Sequence, residues 1–447
     1  MAGNPKTVDM TKGSIRGHLI RFTIPLILGN IFQLAYNFVD TLVVGRFAGS
    51  AALAAVGTSD PIMNLLILGV SGVCIGASVL MSNFFGAGET DRLKDEMKIT
   101  VLLGLIAAAV VMTVGLCLWA PILRLLRVPD AIFGDAGCYL RVIFLGMPFT
   151  CLYNIYAAAL RSVGDSKTPL HYLMLSMGLN MGLDVILVAG FHMGVLGAGL
   201  ATVLSQAVSA VLCIFHVSRH VPVLHMDLRD LSIDRELAGR TLSYGGLTAL
   251  QQCSQPLGNL IIQGTVNTLG VSAIAAFNAA KKVEDIGMVP GRSLSTSIMT
   301  FTAQNEGAGD HERTEQGFRA GILLEVSVAL LIGGVLLLLK TPFMQLFTRD
   351  SGIIQAGVAY LSVMGCIFFL PSLTNGHQGF FRGVGKMKIV LYGTLTQITI
   401  RTLSSLYFIP RYGIIGVAVG SAAGWIVMLL WQVPYRIRLS RRMRSGV

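Results

Sequence analysis

Two aspartates lie inside long apolar stretches of this sequence, where a charge is costly. Asp40 follows the apolar run that begins at Phe22, and Asp184 lies in a later run, four residues after Asn180. A carboxylate in the hydrocarbon layer of a bilayer costs at least ~3 kcal/mol, and such residues usually have a partner or a functional role. We interpret Asp40 as an intramembrane site for a proton or a cation. A buried aspartate that a neighbouring helix satisfies is the structural alternative.

A polar stripe precedes Asp40 at helical spacing. Asn37, Tyr36 and Gln33 lie three, four and seven residues before it, so one face of this helix is polar and the rest is apolar. Pro25 lies in the first turns and removes a backbone donor, which can bend the helix. We therefore expect the stripe to line a substrate cavity and Pro25 to be a bend point.

Further oxygen-bearing side chains recur four residues apart, at Asn180 and Asp184 and again at Thr202 and Gln206. Asp40, Asp184, Asn180 and Thr202 would together supply two carboxylates and two neutral oxygens. Hard cations such as Na⁺ require oxygen ligands, and two close carboxylates retain a proton because like charges repel. The spacing predicts a transient Na⁺ or proton site without a structural metal or a cofactor, although it does not show that these helices meet.

The composition indicates a membrane protein. Of the 447 residues, 53% are hydrophobic and 13% are charged, and the mean hydropathy is +0.69. Soluble domains average about 25% charged residues. The seven cysteines lack metal-ligand spacing and are read as small buried hydrophobes. The net charge of +11 is explained by topology, so no nucleic-acid partner is expected.

The apolar runs predict an all-α polytopic fold with twelve transmembrane helices, since each is long enough to cross a bilayer. They lie near 19–45, 51–83, 98–120, 136–160, 169–190, 195–218, 241–263, 271–302, 318–340, 355–381, 387–410 and 413–435.

The distribution of Lys and Arg predicts the orientation. The segments on the same side of the membrane as the N-terminus, which include the 84–98 loop and the C-terminal tail, contain many more Lys and Arg residues than the segments on the opposite side. The positive-inside rule then places both termini in the cytoplasm.

The two halves repeat each other at an offset of 221 residues. The segment 85–92 aligns with 306–313, Tyr139 with Tyr360, and 161–164 with 382–385. We predict two pseudo-symmetric six-helix lobes, 1–218 and 241–447, joined by a cytoplasmic connector, 219–240. Because the copies keep the same membrane orientation, a cavity between the lobes is the expected substrate route.

Three segments carry a family resemblance: FVDTLVVGRFAGSAALAAVG, FFGAGE and ALRSVGDSKTP. They resemble the multidrug and toxic compound extrusion (MATE) family, whose length and tandem six-helix halves also agree. The resemblance implies a secondary antiporter that exports amphipathic, often cationic compounds in exchange for H⁺ or Na⁺ by alternating access. A flippase or exporter of a lipid-linked or endogenous metabolite from the same superfamily is the alternative. A membrane enzyme is not favoured, because no nucleophile or metal motif occurs.

The acidic pair resembles the DinF branch of that family. There the residues at the positions of Asp40, Asn180, Asp184 and Thr202 form a cation or proton site in the first lobe. The NorM branch instead uses second-lobe carboxylates, and the corresponding helices here carry Gln251, Gln252, Gln255, Asn375 and His377. By resemblance we expect a monomer in the cytoplasmic (inner) membrane of a prokaryote, with lipid and small amphipathic molecules as its partners.

Other polar residues keep two interpretations. Tyr139 and Asn154 are expected to line the first-lobe cavity. Asp60, before Pro61, is read as a backbone-bonding residue at a kink. Glu325 and Arg401 are read as structural. The second-lobe cluster is read either as internal ion pairs or as a substrate or gating group, and it comprises Lys281, Glu284, Asp285 and Arg292.

Overall fold

The computed structural model describes residues 7–226 and 234–445. Within those ranges the chain is helical almost throughout and contains no β-strand. The predicted all-α class is confirmed. Of the predicted connector 219–240, residues 227–233 lie outside the described ranges, as do residues 1–6 and 446–447 at the two ends.

The first half contains six α-helices and two π-helical segments that continue two of them. A π-helical segment, Val44–Ala48, extends the first helix, and another, Val185–Gly190, extends the fifth. Gly49 has a φ of 89°, a left-handed conformation that favours glycine, and the chain turns there into the next helix. The α-helices are α1 (Ile15–Val43), α2 (Gly49–Ala87), α3 (Thr90–Leu125), α4 (Asp130–Ser162), α5 (Lys167–Asp184) and α6 (Gly194–His220).

The second half contains seven α-helices, two of which form one broken span. The break at Phe368 bends the tenth predicted helix by 49°. Counting that pair once gives twelve helical units in the described chain, as predicted. The helices are α7 (Arg235–Asn267), α8 (Val271–Gly307), α9 (His311–Gln345), α10 (Ser351–Ile367), α11 (Phe369–Gly383), α12 (Met387–Tyr412) and α13 (Ile415–Ser445).

The helices differ in how apolar they are. By length and composition, 7 helical stretches of the described chain can cross a membrane, or 8 with the bent pair, and α1 and α2 count there as one stretch. The helices α7, α8 and α12 are outside that set. They carry polar side chains at mid-helix, among them Gln251, Lys281 and Arg401, and this lowers their mean hydropathy.

The chain forms two compact units. The first comprises the described part of Met1–Asp9 and Ile24–Ala249, and the second the described part of Met10–Thr23 and Leu250–Val447. These limits differ from the predicted lobes, since the start of α1 belongs to the second unit and the start of α7 to the first. The exchange involves the N-terminal ends of α1 and α7, which apolar periodicity alone does not assign to a lobe.

Hydrogen bonds explain why the start of α1 belongs to the second unit. The backbone N–H of Met10 donates to Oε1 of Gln304 at 2.9 Å, and Arg313 donates to the carbonyl of Gly13 at 2.9 Å. Ser297 donates to the carbonyl of Leu19 at 3.2 Å. These bonds hold the N-terminal turn against α8 and α9.

The start of α7 is held in the first unit by a buried hydrogen bond and by glycine packing. Thr241 donates to Oε2 of Glu96 on α3 at 2.8 Å. Gly76 of α2 lies against the backbone of Tyr244 and Gly245, so closely that any Cβ at position 76 would collide with it. Small residues commonly permit such close backbone approach between transmembrane helices.

Each unit has its own packed core. In the first unit α4 packs against α2, α3 and α6, and α5 packs against α6. In the second unit α8 packs against α9, α10 and α11, and α12 packs against α13. Helix α5 and the π-helical segment Val44–Ala48, which extends α1, both contact α6. Helix α6 thus positions the ends of the two helices that carry Asp184 and Asp40.

Candidate ion and substrate site of the first unit

Both predicted acidic residues stand beside a π-helical segment. Asp184 is the last residue of α5 before Val185–Gly190, and Asp40 lies four residues before Val44–Ala48. The two π-helical segments contact each other, and both contact α6. Single π turns leave the regular i→i−4 hydrogen-bond pattern and occur often at functional sites. The segments thereby bring the ends of α1 and α5 together.

The carboxyl groups of Asp40 and Asp184 lie close enough to each other to interact directly. Ionised carboxylates accept hydrogen bonds but donate none, so this contact requires a proton on one group or a cation between them. Asp184 is fully buried, and Asp40 is half-buried. The structure thus places together the two residues whose contact the spacing alone does not show.

Several oxygen atoms at this pair lack hydrogen-bond donors within the described part of the chain. Apart from the opposite carboxyl group, no donor reaches either Asp184 oxygen or Oδ1 of Asp40, and none reaches Oδ1 of Asn180. Asn180 donates from Nδ2 to Oγ1 of Thr202 at 3.5 Å. A buried acceptor without a donor costs about 1–3 kcal/mol. A proton or a cation at these oxygens would relieve that cost.

Two tyrosines approach the same group. The hydroxyl of Tyr36 on α1 lies near Thr202 and close enough to Asp40 and Asp184 to interact electrostatically. Tyr139 on α4, which is 6% exposed, lies close enough to Asp40 and Asp184 to interact electrostatically. Their hydroxyl groups can donate to a carboxylate and can also accept a hydrogen bond from a ligand.

The remaining predicted cavity residues contact their own helices or lie exposed. Gln33 and Asn37 are exposed on α1. Asn154 donates to the carbonyl of Thr150 at 2.8 Å, a bond within α4. Gln206 is half-buried one turn after Thr202, and its Oε1 has no donor among the described residues. Their contact with a transported molecule stays a prediction.

Pro25 is buried inside α1, directly after the point where the chain passes from the second unit to the first. A proline inside a helix removes one backbone hydrogen bond and crowds the preceding turn. The bend expected at Pro25 therefore concerns the first residues of the helix that carries Asp40.

Asp60 is a site neighbour that the sequence analysis does not identify. It is exposed on α2, and it interacts electrostatically with Asp40 and with Tyr139. Pro61 lies inside the helix, consistent with the local kink that the sequence favours. The position of the Asp60 carboxylate in the interior of a long helix is the feature of the sequence that could have indicated a place in the site. No group of three or more His, Cys, Asp and Glu side chains suited to a metal ion occurs in residues 7–226 and 234–445.

The predicted polar cluster of the second unit forms a chain of ion pairs on α8. Lys281 lies 2.7 Å from Oε1 of Glu284 and 3.3 Å from Oδ1 of Asp285, and Arg292 lies 3.9 Å from the same Asp285 oxygen. Tyr360 donates to Oε2 of Glu284 at 2.6 Å. Internal pairing, one of the two interpretations of this cluster, is thus present. A role in substrate binding stays open.

Comparisons with known proteins agree with this architecture. The MatE family model matches residues 25–186 and 248–406, once in each half of the chain. A solved structure described as the outward-facing conformation of a multidrug resistance MATE family transporter of the MOP superfamily superposes with a TM-score of 0.92, at 22% identity over 99% of both chains. That structure shares the fold.

Two curated relatives are similar over most of the chain. The probable multidrug resistance protein YoeA of Bacillus subtilis is 31% identical over 344 residues, which is 75% of this chain and 73% of the relative. The FAD transporter of Shewanella oneidensis is 25% identical over 354 residues, or 78% of each. The family model and the 31% relative identify the family, whose members are transporters and not enzymes. The chain belongs to the MatE family of multi-pass membrane transporters.

Proposed function

We propose that the protein is a secondary antiporter that exports amphipathic organic compounds in exchange for H⁺ or Na⁺. The observation that carries this proposal is the Asp40–Asp184 carboxyl pair, with its neighbouring oxygens that lack donors. Family membership supports the transport of small molecules across a membrane. The pair supports the coupling step, because it can bind and release a positive charge.

Both coupling ions are compatible with the same residues. One proton shared between Asp40 and Asp184 would remove their repulsion. A Na⁺ ion would instead take oxygen ligands from the two carboxylates, Asn180 and Thr202. The DinF-like assignment of the chain rests on this first-unit site. Binding of the ion would change the contacts of Tyr36. Because Tyr36 lies on the same helix as Pro25, this change links the site to the shape of α1.

We place the protein in the cytoplasmic membrane of a prokaryote as a monomer, with both termini in the cytoplasm. Alternating access would expose the site to one side of the membrane at a time. Compounds would contact the exposed polar stripe of Gln33 and Asn37, together with Tyr139, Asn154 and Gln206. Cationic amphipathic compounds fit the negative charge that Asp40, Asp60 and Asp184 provide near Tyr139.

A second candidate is the export of an endogenous metabolite. The curated name of the Shewanella relative, FAD transporter, favours it over a lipid-linked substrate. Both candidates use the same fold and the same coupling site, and they differ only in the molecule carried.

Transport by purified protein in liposomes tests the proposal. Rhodamine 123 and ethidium are loaded, and efflux is followed under an imposed H⁺ gradient, under a Na⁺ gradient, and without a gradient. We expect efflux that requires one of the two gradients and collapses when an ionophore dissipates it. Efflux at the same rate without any gradient would exclude antiport.

A further inference from the structure

The polar cluster of the second unit holds charges far from the nearest ends of the helices α8 and α12. Lys281 lies ten residues after the start of α8, and Arg401 lies eleven residues before the end of α12. At 1.5 Å per residue, both are about 15 Å from a helix end, which is about half the thickness of the hydrocarbon core. Ionisable residues at this depth mark ion or substrate pathways more often than packing sites.

Arg401 has unused hydrogen-bonding capacity. One guanidinium nitrogen donates to Oδ1 of Asn259 on α7 at 3.0 Å. Its Nε is buried and has no partner within the described residues. The guanidinium also interacts electrostatically with Glu284 and with Tyr360, so these groups surround one small region. A guanidinium in such a place can bind a carboxylate or a phosphate through two parallel hydrogen bonds.

The internal repeat relates this region to the carboxyl site of the first unit. At the offset of 221 that pairs Tyr139 with Tyr360, Lys281 occupies the position of Asp60, and Arg401 occupies the position of Asn180. Both tyrosines are buried and lie near charged groups. The offset of 221 pairs Lys167, the first residue of α5, with Lys388 in the first turn of α12, so these two helices begin in register.

The two equivalent regions therefore have opposite polarity. The first unit presents three aspartates, Asp40, Asp60 and Asp184, whereas the second presents two cations and the single carboxylate of Glu284. The positive charges of Lys281 and Arg401 exceed the single negative charge of Glu284 by one. The opposite charges of Asp285 and Arg292 cancel each other and do not change this difference. An uncompensated positive charge within a bundle of helices attracts an anion.

We propose that Lys281 and Arg401, with Asn259 and Tyr360 beside them, bind an anionic group, a carboxylate or a phosphate, of the exported compound. This rests on the proposed export function and adds a substrate class to it. Glu284 holds Lys281 in place, and Arg401 supplies the free donor. The coupling ion uses the first unit, and the anionic group of the cargo uses the second.

A phosphate could also come from a lipid headgroup, but depth favours the cargo. Headgroups lie outside the hydrocarbon core, whereas Lys281 and Arg401 lie about 15 Å along their helices from the nearest helix end. An anionic compound inside the transporter reaches it without deforming the bilayer.

Paired ligands test the proposal directly. Riboflavin and flavin mononucleotide differ by one phosphate, and rhodamine 123 is a cation. Binding of all three to the purified full-length protein is measured by fluorescence. Arg401→Gln is compared with Arg411→Gln, which makes the same change farther along α12 at an exposed residue bonded to its own helix.

We expect wild-type protein to bind flavin mononucleotide more tightly than riboflavin. Arg401→Gln should weaken flavin mononucleotide binding roughly tenfold or more, the usual effect of losing a charged hydrogen bond, and leave rhodamine 123 within about twofold. Arg411→Gln should change neither. Equal affinity of the wild type for both flavins, or equal losses for flavin mononucleotide and rhodamine 123, would overturn the proposal.

Two controls keep the test decisive. If Arg401→Gln does not fold, the double variant Lys281→Gln/Glu284→Gln removes the adjacent ion pair without leaving a lone charge, and the same selective loss is expected. Nanodiscs with and without phosphatidylglycerol identify the anion source, and competition by that lipid would overturn the assignment to cargo. Rhodamine 123 efflux tests the antiport proposal separately, so failure of either proposal is recognised by itself.

Discussion

The carboxyl groups of Asp40 on α1 and Asp184 on α5 lie close enough to interact directly, and each residue stands beside a π-helical segment. The π-helical segments that follow α1 and α5 contact each other and also contact α6. Because neither carboxylate can donate, the pair is complete only with a proton or a cation. This relationship is the basis of the predictions below.

The pair is expected to act as one functional group. Asp184→Asn should reduce gradient-driven efflux by roughly tenfold or more, because a charged contact contributes about 1.5–3 kcal/mol. The double variant Asp40→Asn/Asp184→Asn should be no worse than either single variant, since residues that share one ion do not have additive effects. Initial efflux rates of the three variants in liposomes measure this. Losses that multiply would show two independent groups.

Ion coupling should be confined to the first unit. Glu325 on α9 is 1% exposed and lies against Gly376, and His377 is 6% exposed on α11. Neither has a carboxylate partner comparable to Asp184 among the described contacts. Glu325→Gln and His377→Gln, checked for normal folding, should therefore keep the H⁺ or Na⁺ dependence of efflux. If either variant transports without an ion gradient, the one-unit assignment is wrong.

The sequence predicts the helices and the repeat well, for physical reasons. Apolar runs of bilayer length must be helical, because no other local structure satisfies the backbone in lipid. Asp40 and Asp184 stand out because their charge is costly in such runs. Helical spacing also predicts that Asn180 and Asp184 share a face, and the structure adds the contact of that face with Asp40.

Other features depend on tertiary packing. The π-helical segments after Asp40 and Asp184 follow from contacts with each other and with α6, and local propensity does not indicate them. The break at Phe368, by contrast, has a local signal, because the ring of Pro371 crowds the carbonyl of Ile367, where α10 ends. Asp60 is interpreted from the sequence as a kink residue because Pro61 follows it, and its proximity to Tyr139 depends on how α2 packs against α4.

Stability should depend on the contact between α2 and the start of α7. Gly76→Ala would place a Cβ into the backbone of Gly245, and overpacking of this kind costs about 1–3 kcal/mol. Gly246→Ala is the matched control, since a Cβ there meets open space and alanine favours a helix by up to about 1 kcal/mol. Thermal unfolding in detergent should show a lower Tm for the first variant alone. Equal Tm values for both variants would contradict the close packing.

The most direct test of the coupling site is gradient-driven efflux by Asp40→Asn protein in liposomes. Asparagine keeps the size and most hydrogen bonds of aspartate but cannot bind a proton or balance a cation, so folding should be retained while coupled efflux is lost. Asp135→Asn, the same change at an exposed position on α4, serves as the control and should transport normally. Efflux at the wild-type rate by correctly folded Asp40→Asn protein would contradict the role of the carboxyl pair.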